Sequence, residues 1–172
     1  MNTIDILKIL VGKLFAGDKH LEHPAGLLSL QNAAWSRAVG RNSSSSVATR
    51  IGGAAAREFG GLRGAAIAER VLAAGKPLTV VNLLIYYDLP TAAHRPRVCI
   101  VDGWLTITVR ADECPFLAAV RGSGLELSAL PYCAEFDRSM VDAYNPDLQF
   151  EHTPPGLGGS VCVLKYKEAE NQ

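Results

Sequence analysis

The dipeptide Asp102-Gly103 limits what this chain can fold into more than any other short stretch, because it separates two runs of β-forming residues. Asp-Gly is a preferred sequence for the two-residue type I′ turn, which has a positive φ at both positions and joins antiparallel strands. Past the turn, apolar side chains recur at every second position: Leu105, Ile107 and Val109. This alternation places one strand face against a core and leaves the other more polar. The sequence therefore predicts an antiparallel hairpin over residues 98–110.

The C-terminal third is expected to add a helix and two more strands to this hairpin. Residues 131–144 have helical spacing between Pro131 and the breaker Asn145-Pro146. Residues 148–153 and 160–167 are rich in β-forming types, and a glycine-rich turn separates them. Together these segments predict an α+β domain, in which helices flank an antiparallel sheet.

The N-terminal half is predicted to be helical. Apolar residues recur at helical spacing in residues 3–16, which favours either a helix packed on its own core or an arm that joins two copies in a homodimer. Residues 17–26 are typical of a loop, and residues 27–39 of a second helix. We therefore expect a single domain over 1–172, with an N-terminal helical arm (1–26) and a globular core (27–172).

Small residues dominate residues 47–74, and the glycines among them need an explanation. Each glycine costs a helix about 1 kcal/mol relative to alanine. The pattern predicts either a close approach between two backbones or a helix that breaks near Gly60-Gly61. Ser46 or a neighbouring serine is expected to cap this helix, and Gly75 to end it. Residues 78–87 fit a buried strand or a buried helix equally well.

Charge and cysteine usage exclude several classes of protein. Basic and acidic residues balance at 17 each, without a long run of one sign, so we expect no nucleic-acid track and no attachment to an anionic membrane. No stretch contains the roughly 20 apolar residues of a membrane span. Four cysteines and an N-terminus without the features of a secretory leader indicate a reduced, cytoplasmic protein.

The cysteines differ in their expected surroundings. Cys99 lies inside a β-rich run and is predicted to be a small core residue. Cys114 precedes Pro115, which can begin a helix, and a helix N-terminus lowers a thiol pKa, while neighbouring carboxylates raise it. Cys133 is expected to open the 131–144 helix, where it shares a face with Asp137 at i, i+4.

Three stretches carry a resemblance to a known family: "ECPF", "LPYCAEFDRSMVDAYNPDLQFEHT" and "GGSVCVLKY". Over residues 112–166 the chain resembles the L-2-amino-thiazoline-4-carboxylic acid hydrolase family. More remotely it is similar to 4-vinyl-reductase-type ligand-binding domains, which use late cysteines to hold zinc. The residues that match the family by position are Cys114, Cys133, Asp137, Asn145 and Cys162. The resemblance implies hydrolysis of a C–N or C–S bond in a small sulfur- or nitrogen-containing amino-acid derivative.

Two mechanisms fit these residues. In the first, the thiolate of Cys133 or Cys114 attacks an electrophilic carbon, and Asp137 or His152 moves the proton. Arg138 or Arg121 would hold a substrate carboxylate, and Asn145 and Tyr86 are further candidates for substrate binding.

In the second mechanism, Cys114, Cys133 and Cys162 hold Zn²⁺, with His152, Asp137 or Glu135 as further candidate ligands. Two other readings stay open. The cysteines can be ordinary buried thiols without any cofactor, and the protein can be a non-catalytic module that binds a small molecule or zinc.

Overall fold

The computed structural model describes residues 24–89, 95–120, 126–155 and 159–168. The predicted first helix at 3–16, most of the loop at 17–26 and Arg121 lie outside these ranges. The helices are α1 (Pro24–Asn42), α2 (Ser45–Ala73), α3 (Val80–Ile85), α4 (Pro115–Val120) and α5 (Glu126–Tyr144). The strands are β1 (Arg97–Val101), β2 (Trp104–Arg110), β3 (Gln149–Thr153) and β4 (Val161–Lys167). Helices beside one antiparallel sheet confirm the predicted α+β class.

The four strands form one sheet in the order β1-β2-β4-β3, and each neighbouring pair is antiparallel. Asp102 and Gly103 both have positive φ, at 51° and 77°, which confirms the type I′ hairpin. Two rows of paired residues cross the sheet on its helix-facing side. One row is Val98–Ile107–Leu164–His152, and the other is Ile100–Leu105–Tyr166–Phe150.

Two glycines fix how α2 packs on α5. A Cβ atom at Gly64 would overlap the carbonyl oxygen of Met140, and one at Gly60 would overlap the Ser139 hydroxyl and the carbonyl oxygen of Phe136. The close approach predicted for the small-residue segment is therefore confirmed. The alternative, a break near Gly60-Gly61, is wrong, because α2 runs through both glycines without interruption.

The ends of these elements use the capping chemistry expected of the sequence. Ser44 accepts a hydrogen bond from the backbone N–H of Val47 and so caps α2, and Gly75 follows α2 with a φ of 67°. Thr79 caps α3 in the same way, which decides that residues 80–85 form a helix. The Tyr144 hydroxyl then donates to the Thr79 carbonyl oxygen at 2.9 Å, tying the start of α3 to the end of α5.

Two predictions about cysteines are wrong. Helix α5 begins at Glu126, so Cys133 lies about two turns inside the helix instead of at its start, and Pro131 is accommodated within it. Cys99 is exposed instead of buried, because β1 is the edge strand and Cys99 points away from the helices. An apolar neighbourhood in the sequence does not bury a residue on the outer face of an edge strand.

The main core lies between the sheet and helices α2, α3 and α5. It contains Ile67 and Val71 from α2, Leu83 from α3, Met140, Val141 and Tyr144 from α5, and Phe150 and Tyr166 from the sheet. Among the described residues, none of the helices has the length and apolar character needed to cross a membrane.

Candidate functional site

A cavity of about 290 Å³ lies between the sheet and the helices, towards the β1 side. Its wall is mostly apolar and includes Val98, Ile107 and Leu164 of the sheet, Phe136 of α5 and Tyr87 after α3. Asp137 is the only carboxylate among the described lining residues. An apolar cavity with a few converging polar groups is the usual form of a small-molecule site.

Three cysteines that are far apart in sequence line this one cavity. Cys114 lies just before α4, Cys133 lies on α5, and Cys162 lies on β4. Cys114 and Cys162 are buried and Cys133 is partly buried, and all three are free thiols. The start of α4, helix α5 and strand β4 therefore each contribute one cysteine to the wall of the same cavity.

His152 connects these groups from behind the cavity wall. Its Nδ1 lies 3.2 Å from Oδ2 of Asp137, and its Nε2 lies 3.1 Å from Sγ of Cys162. Cys133, one helical turn before Asp137, donates its thiol to the same Oδ2 at 3.7 Å. Since the His152 side chain is only 2% exposed, water does not compete freely for these contacts.

The contact between His152 and Asp137 is close but is not a hydrogen bond. Nδ1 of His152 is buried and, among the residues that the structure describes, has no hydrogen-bond partner despite the short distance. An unpaired buried donor or acceptor costs about 1–3 kcal/mol, so its presence in a native cluster calls for an explanation.

The spacing of the two groups matches that of two ligands on one metal ion. Tetrahedral Zn²⁺ with ordinary bond lengths separates an N and an O ligand by about 3.3 Å, and an S and an O ligand by about 3.5 Å. The observed separations are 3.2 Å and 3.7 Å. Sγ of Cys133, Oδ2 of Asp137 and Nδ1 of His152 all lie within 4.8 Å of one another. A Cys/Asp/His set that could hold a metal is thus present; Cys114 and Cys162, which we predicted as ligands, lie outside this close group.

Burial pushes every titratable group of the cluster towards its neutral form. It raises the pKa of Asp137 to about 7, against the opposing charge of Arg63, and lowers the pKa of His152 to about 4 with help from Arg138. It also raises the pKa of Cys114 and of Cys133, and raises that of Cys162 to about 12. At Cys114 the backbone N–H groups of the following helix lower the pKa, but burial outweighs them. The thiols therefore need an activating partner before they can react.

Arg63 supports the cavity wall from α2. The residue is only 7% exposed, and its Nε donates to Oδ2 of Asp88 at 2.8 Å. Its guanidinium lies 4.6 Å from the ring centroid of Phe136 and 5.2 Å from that of Tyr87, so the cation stacks on two rings that line the cavity. Sequence reasoning missed Arg63. The sequence feature that could have identified it is the spacing, which places this charged residue on the same face of α2 as Gly60, Gly64 and Ile67.

The other predicted site residues do not line the cavity. Arg138 is exposed and donates to the carbonyl oxygen of Phe150 at 3.4 Å. Asn145 donates its amide to the carbonyl oxygen of Leu78 at 2.7 Å. Tyr86 packs beside the main core, whereas its neighbour Tyr87 faces the cavity. Glu135 pairs with Arg57 at 2.9 Å on the surface.

Comparison of the chain with protein-family models, with curated proteins and with solved structures found no match. The family resemblance therefore stays a prediction. The chemistry of the site rests on its geometry, in which a Cys/Asp/His cluster and two further thiols meet an apolar cavity.

Proposed function

We propose that this protein is a hydrolase of small sulfur- or nitrogen-containing molecules, and that Cys133, Asp137 and His152 hold a zinc ion at the wall of its cavity. The observation that carries the proposal is the close triplet of Sγ, Oδ2 and a buried Nδ1 that has no hydrogen-bond partner within the described ranges. Ligand sets of one thiolate, one carboxylate and one imidazole consist of donors that zinc commonly takes.

The number of ligands favours a catalytic over a structural role. Structural zinc sites are usually closed by four protein ligands, whereas catalytic sites have three and keep one position open. When bound, zinc lowers the pKa of a water molecule and polarises a substrate bond. A nearby divalent charge also favours the ionised forms of Cys133 and Asp137, the forms that burial alone opposes.

The remaining residues of the site have supporting roles. Cys162 faces the second ring nitrogen of His152 and so helps to fix the orientation of the imidazole. The apolar wall formed by Ile107 and Leu164, with Val98 at its open end, accepts the carbon and sulfur atoms of a substrate. Arg63, behind Phe136, supplies positive charge near Asp137 without entering the cavity lining.

A second chemistry has a specific observation in its favour. Cys162, His152 and Asp137 follow one another in the order of a nucleophile, a base and a carboxylate, with contacts of 3.1 Å and 3.2 Å. The second contact would have to tighten into a hydrogen bond before Asp137 could orient the base. In that reaction Sγ of Cys162 adds to the carbon of the substrate's C=N bond, the π electrons of that bond move to its nitrogen, and the thiol proton passes to Nε2 of His152. The nucleophile would then be Cys162, in place of Cys133 or Cys114.

The two chemistries are separated by measuring metal content and turnover on the same samples. Purified protein is analysed for zinc by mass spectrometry, and incubated with L-2-amino-thiazoline-4-carboxylate to detect a product heavier by one water. We expect about one zinc per chain in the wild type, and loss of most zinc and turnover in Cys133→Ser. Cys114→Ser is the matched control, because this thiol lines the same cavity outside the ligand set.

Each outcome decides between the alternatives. Zinc that survives Cys133→Ser contradicts the proposed ligand set. Turnover without zinc that disappears in Cys162→Ser favours the thiol reaction. Zinc bound at the predicted ligands, with no conversion of this substrate or of related cyclic amidines, favours the non-catalytic binding module.

A further inference from the structure

Nothing in the described part of the chain covers the helix-facing side of β1. Val98 and Ile100 point to the same side of the sheet as the buried residues of their rows, yet they are 57% and 76% exposed. At the far end of the second row, Tyr166 and Phe150 are only 4% and 6% exposed. Residues that alternate like core residues but remain in solvent indicate a surface that another chain covers.

The free edge of β1 also lacks the usual protection against pairing. Strand β1 bonds to β2 on one side, and among the described elements nothing pairs with its other side. Natural edge strands commonly carry lysines, an internal proline or a bulge. This five-residue strand reads Arg97-Val98-Cys99-Ile100-Val101, with a regular register to β2 and one charge at its beginning.

We propose that β1 pairs antiparallel with β1 of a second copy of this chain, on a two-fold axis at Cys99. In that register Cys99 meets Cys99 of the second copy, and Val98 meets Ile100 on the helix-facing side. Arg97 precedes the apolar residues and Asp102 follows them, so an antiparallel pair brings each arginine close to the opposite aspartate. A parallel pair would align like charges, which is destabilising. The strand is therefore complementary to itself, as a two-fold interface requires.

The pairing would also complete the cavity. Val98, together with Pro96, lines it at the β1 side. Because directly opposed residues project on the same side of a sheet, Ile100 of the second copy would lie next to Val98 and extend the apolar wall. The dimer would bury Ile100 and join two four-stranded sheets into one, without any edge at β1. This inference stands on the exposure and charge pattern of β1 and does not depend on the proposed hydrolase activity.

Cys99 allows a direct test of the register, because it is exposed on the outer face and sits on the proposed axis. Opposed residues have Cα atoms about 4.5–5.5 Å apart, which lies within the range that a disulfide can bridge. Mild oxidation of the full chain with diamide should therefore give a covalent dimer, and Cys99→Ser should abolish it. The matched control is Val101→Cys in the Cys99→Ser background. That position is exposed on the same face but lies about 13 Å from its own copy in this register.

A second measurement tests the interface without cross-linking. Ile100→Lys should convert a dimer to a monomer in sedimentation, with an unchanged circular dichroism spectrum. Leu72→Lys, at a comparably exposed apolar position on α2, should leave the dimer intact. A monomer in the wild type at every concentration, open-ended association, or a dimer that survives Ile100→Lys would each overturn the proposal. Equal cross-linking through residue 101 would overturn the register. A dimer lost in Leu72→Lys or on removal of residues 1–23 alone would assign the interface elsewhere.

Discussion

Both ends of the sheet's helix-facing side carry apolar residues at every second position. One end is buried and the other is exposed to solvent. At the β3–β4 end, Phe150 and Tyr166 are buried, with their ring centroids 5.0 Å apart. At the β1 end, Val98 and Ile100 are apolar, point to the same side and remain exposed. Alternation along a strand therefore fixes the side to which a residue points, while burial depends on how far the helices extend over the sheet.

The helices cover one end of the sheet and not the other. Gly60 and Gly64 allow α2 and α5 to pack closely, and the core beneath them contains residues of β2, β3 and β4 but none of β1. The candidate site lies between the two regions. His152 belongs to the covered end of its row and Val98 to the open end, with Ile107 and Leu164 between them. A buried polar cluster and an accessible cavity can coexist because the helices cover only part of the sheet.

The largest expected effect comes from truncating one apolar residue at each end of the same row. Phe150→Ala should lower the free energy of unfolding by about 3–5 kcal/mol, because a buried aromatic ring leaves a cavity. Ile100→Ala should change it by no more than about 0.5 kcal/mol in dilute, monomeric protein. Urea unfolding followed by circular dichroism measures both. Similar losses for the two variants would contradict the contrast between the covered and open ends.

The second-largest effect on stability is expected at the contact between α2 and α5, which lie at the covered end. Gly64→Ala places a methyl group against the Met140 carbonyl, and we expect a loss of about 2 kcal/mol or more despite the better helix propensity of alanine. Gly61→Ala is the matched control, since a Cβ there meets nothing within 4 Å and should gain up to about 1 kcal/mol. Melting temperatures that move in the same direction for both variants would show that α2 and α5 are not in close contact.

The smallest effect is expected at the turn of the open end. Gly103→Val forces a branched side chain to adopt a φ of 77° and should cost about 1 kcal/mol or more. Thermal unfolding measures the loss, and an unchanged melting temperature would mean that the turn does not hold the β1–β2 register.

Much of the fold could be predicted because its signals are local. The Asp102-Gly103 turn, the serine cap of α2 and Gly75 at its end each depend on a few neighbouring residues, and the structure contains all three. The secondary structure of residues 80–85 could not be assigned from the sequence, because their continuous apolar run fits the period of a strand and that of a helix equally well. The predicted start of α5 is too late, because proline is common as the first residue of a helix and Pro131 here lies inside one.

The candidate site was predictable in its residue types and not in its arrangement. The i, i+4 spacing placed Cys133 and Asp137 on one face, and the three cysteines do line one cavity. The sequence could not show that His152 contacts Asp137 through one nitrogen and Cys162 through the other. Strand pairing across the sheet brings β3 beside β4 and places α5 above them.

The sequence by itself determined the hairpin, the helix caps, the small-residue packing face and the side of the sheet to which each strand residue points. These properties follow from backbone dihedral preferences and from periods of two and 3.6 residues, which act over a few positions. Only the tertiary structure decided which apolar residues are buried, why Cys99 and Ile100 are not, and why burial raises the pKa of Asp137 and lowers that of His152. Those outcomes depend on contacts between segments distant in the chain, and on the loss of water that only the assembled fold imposes.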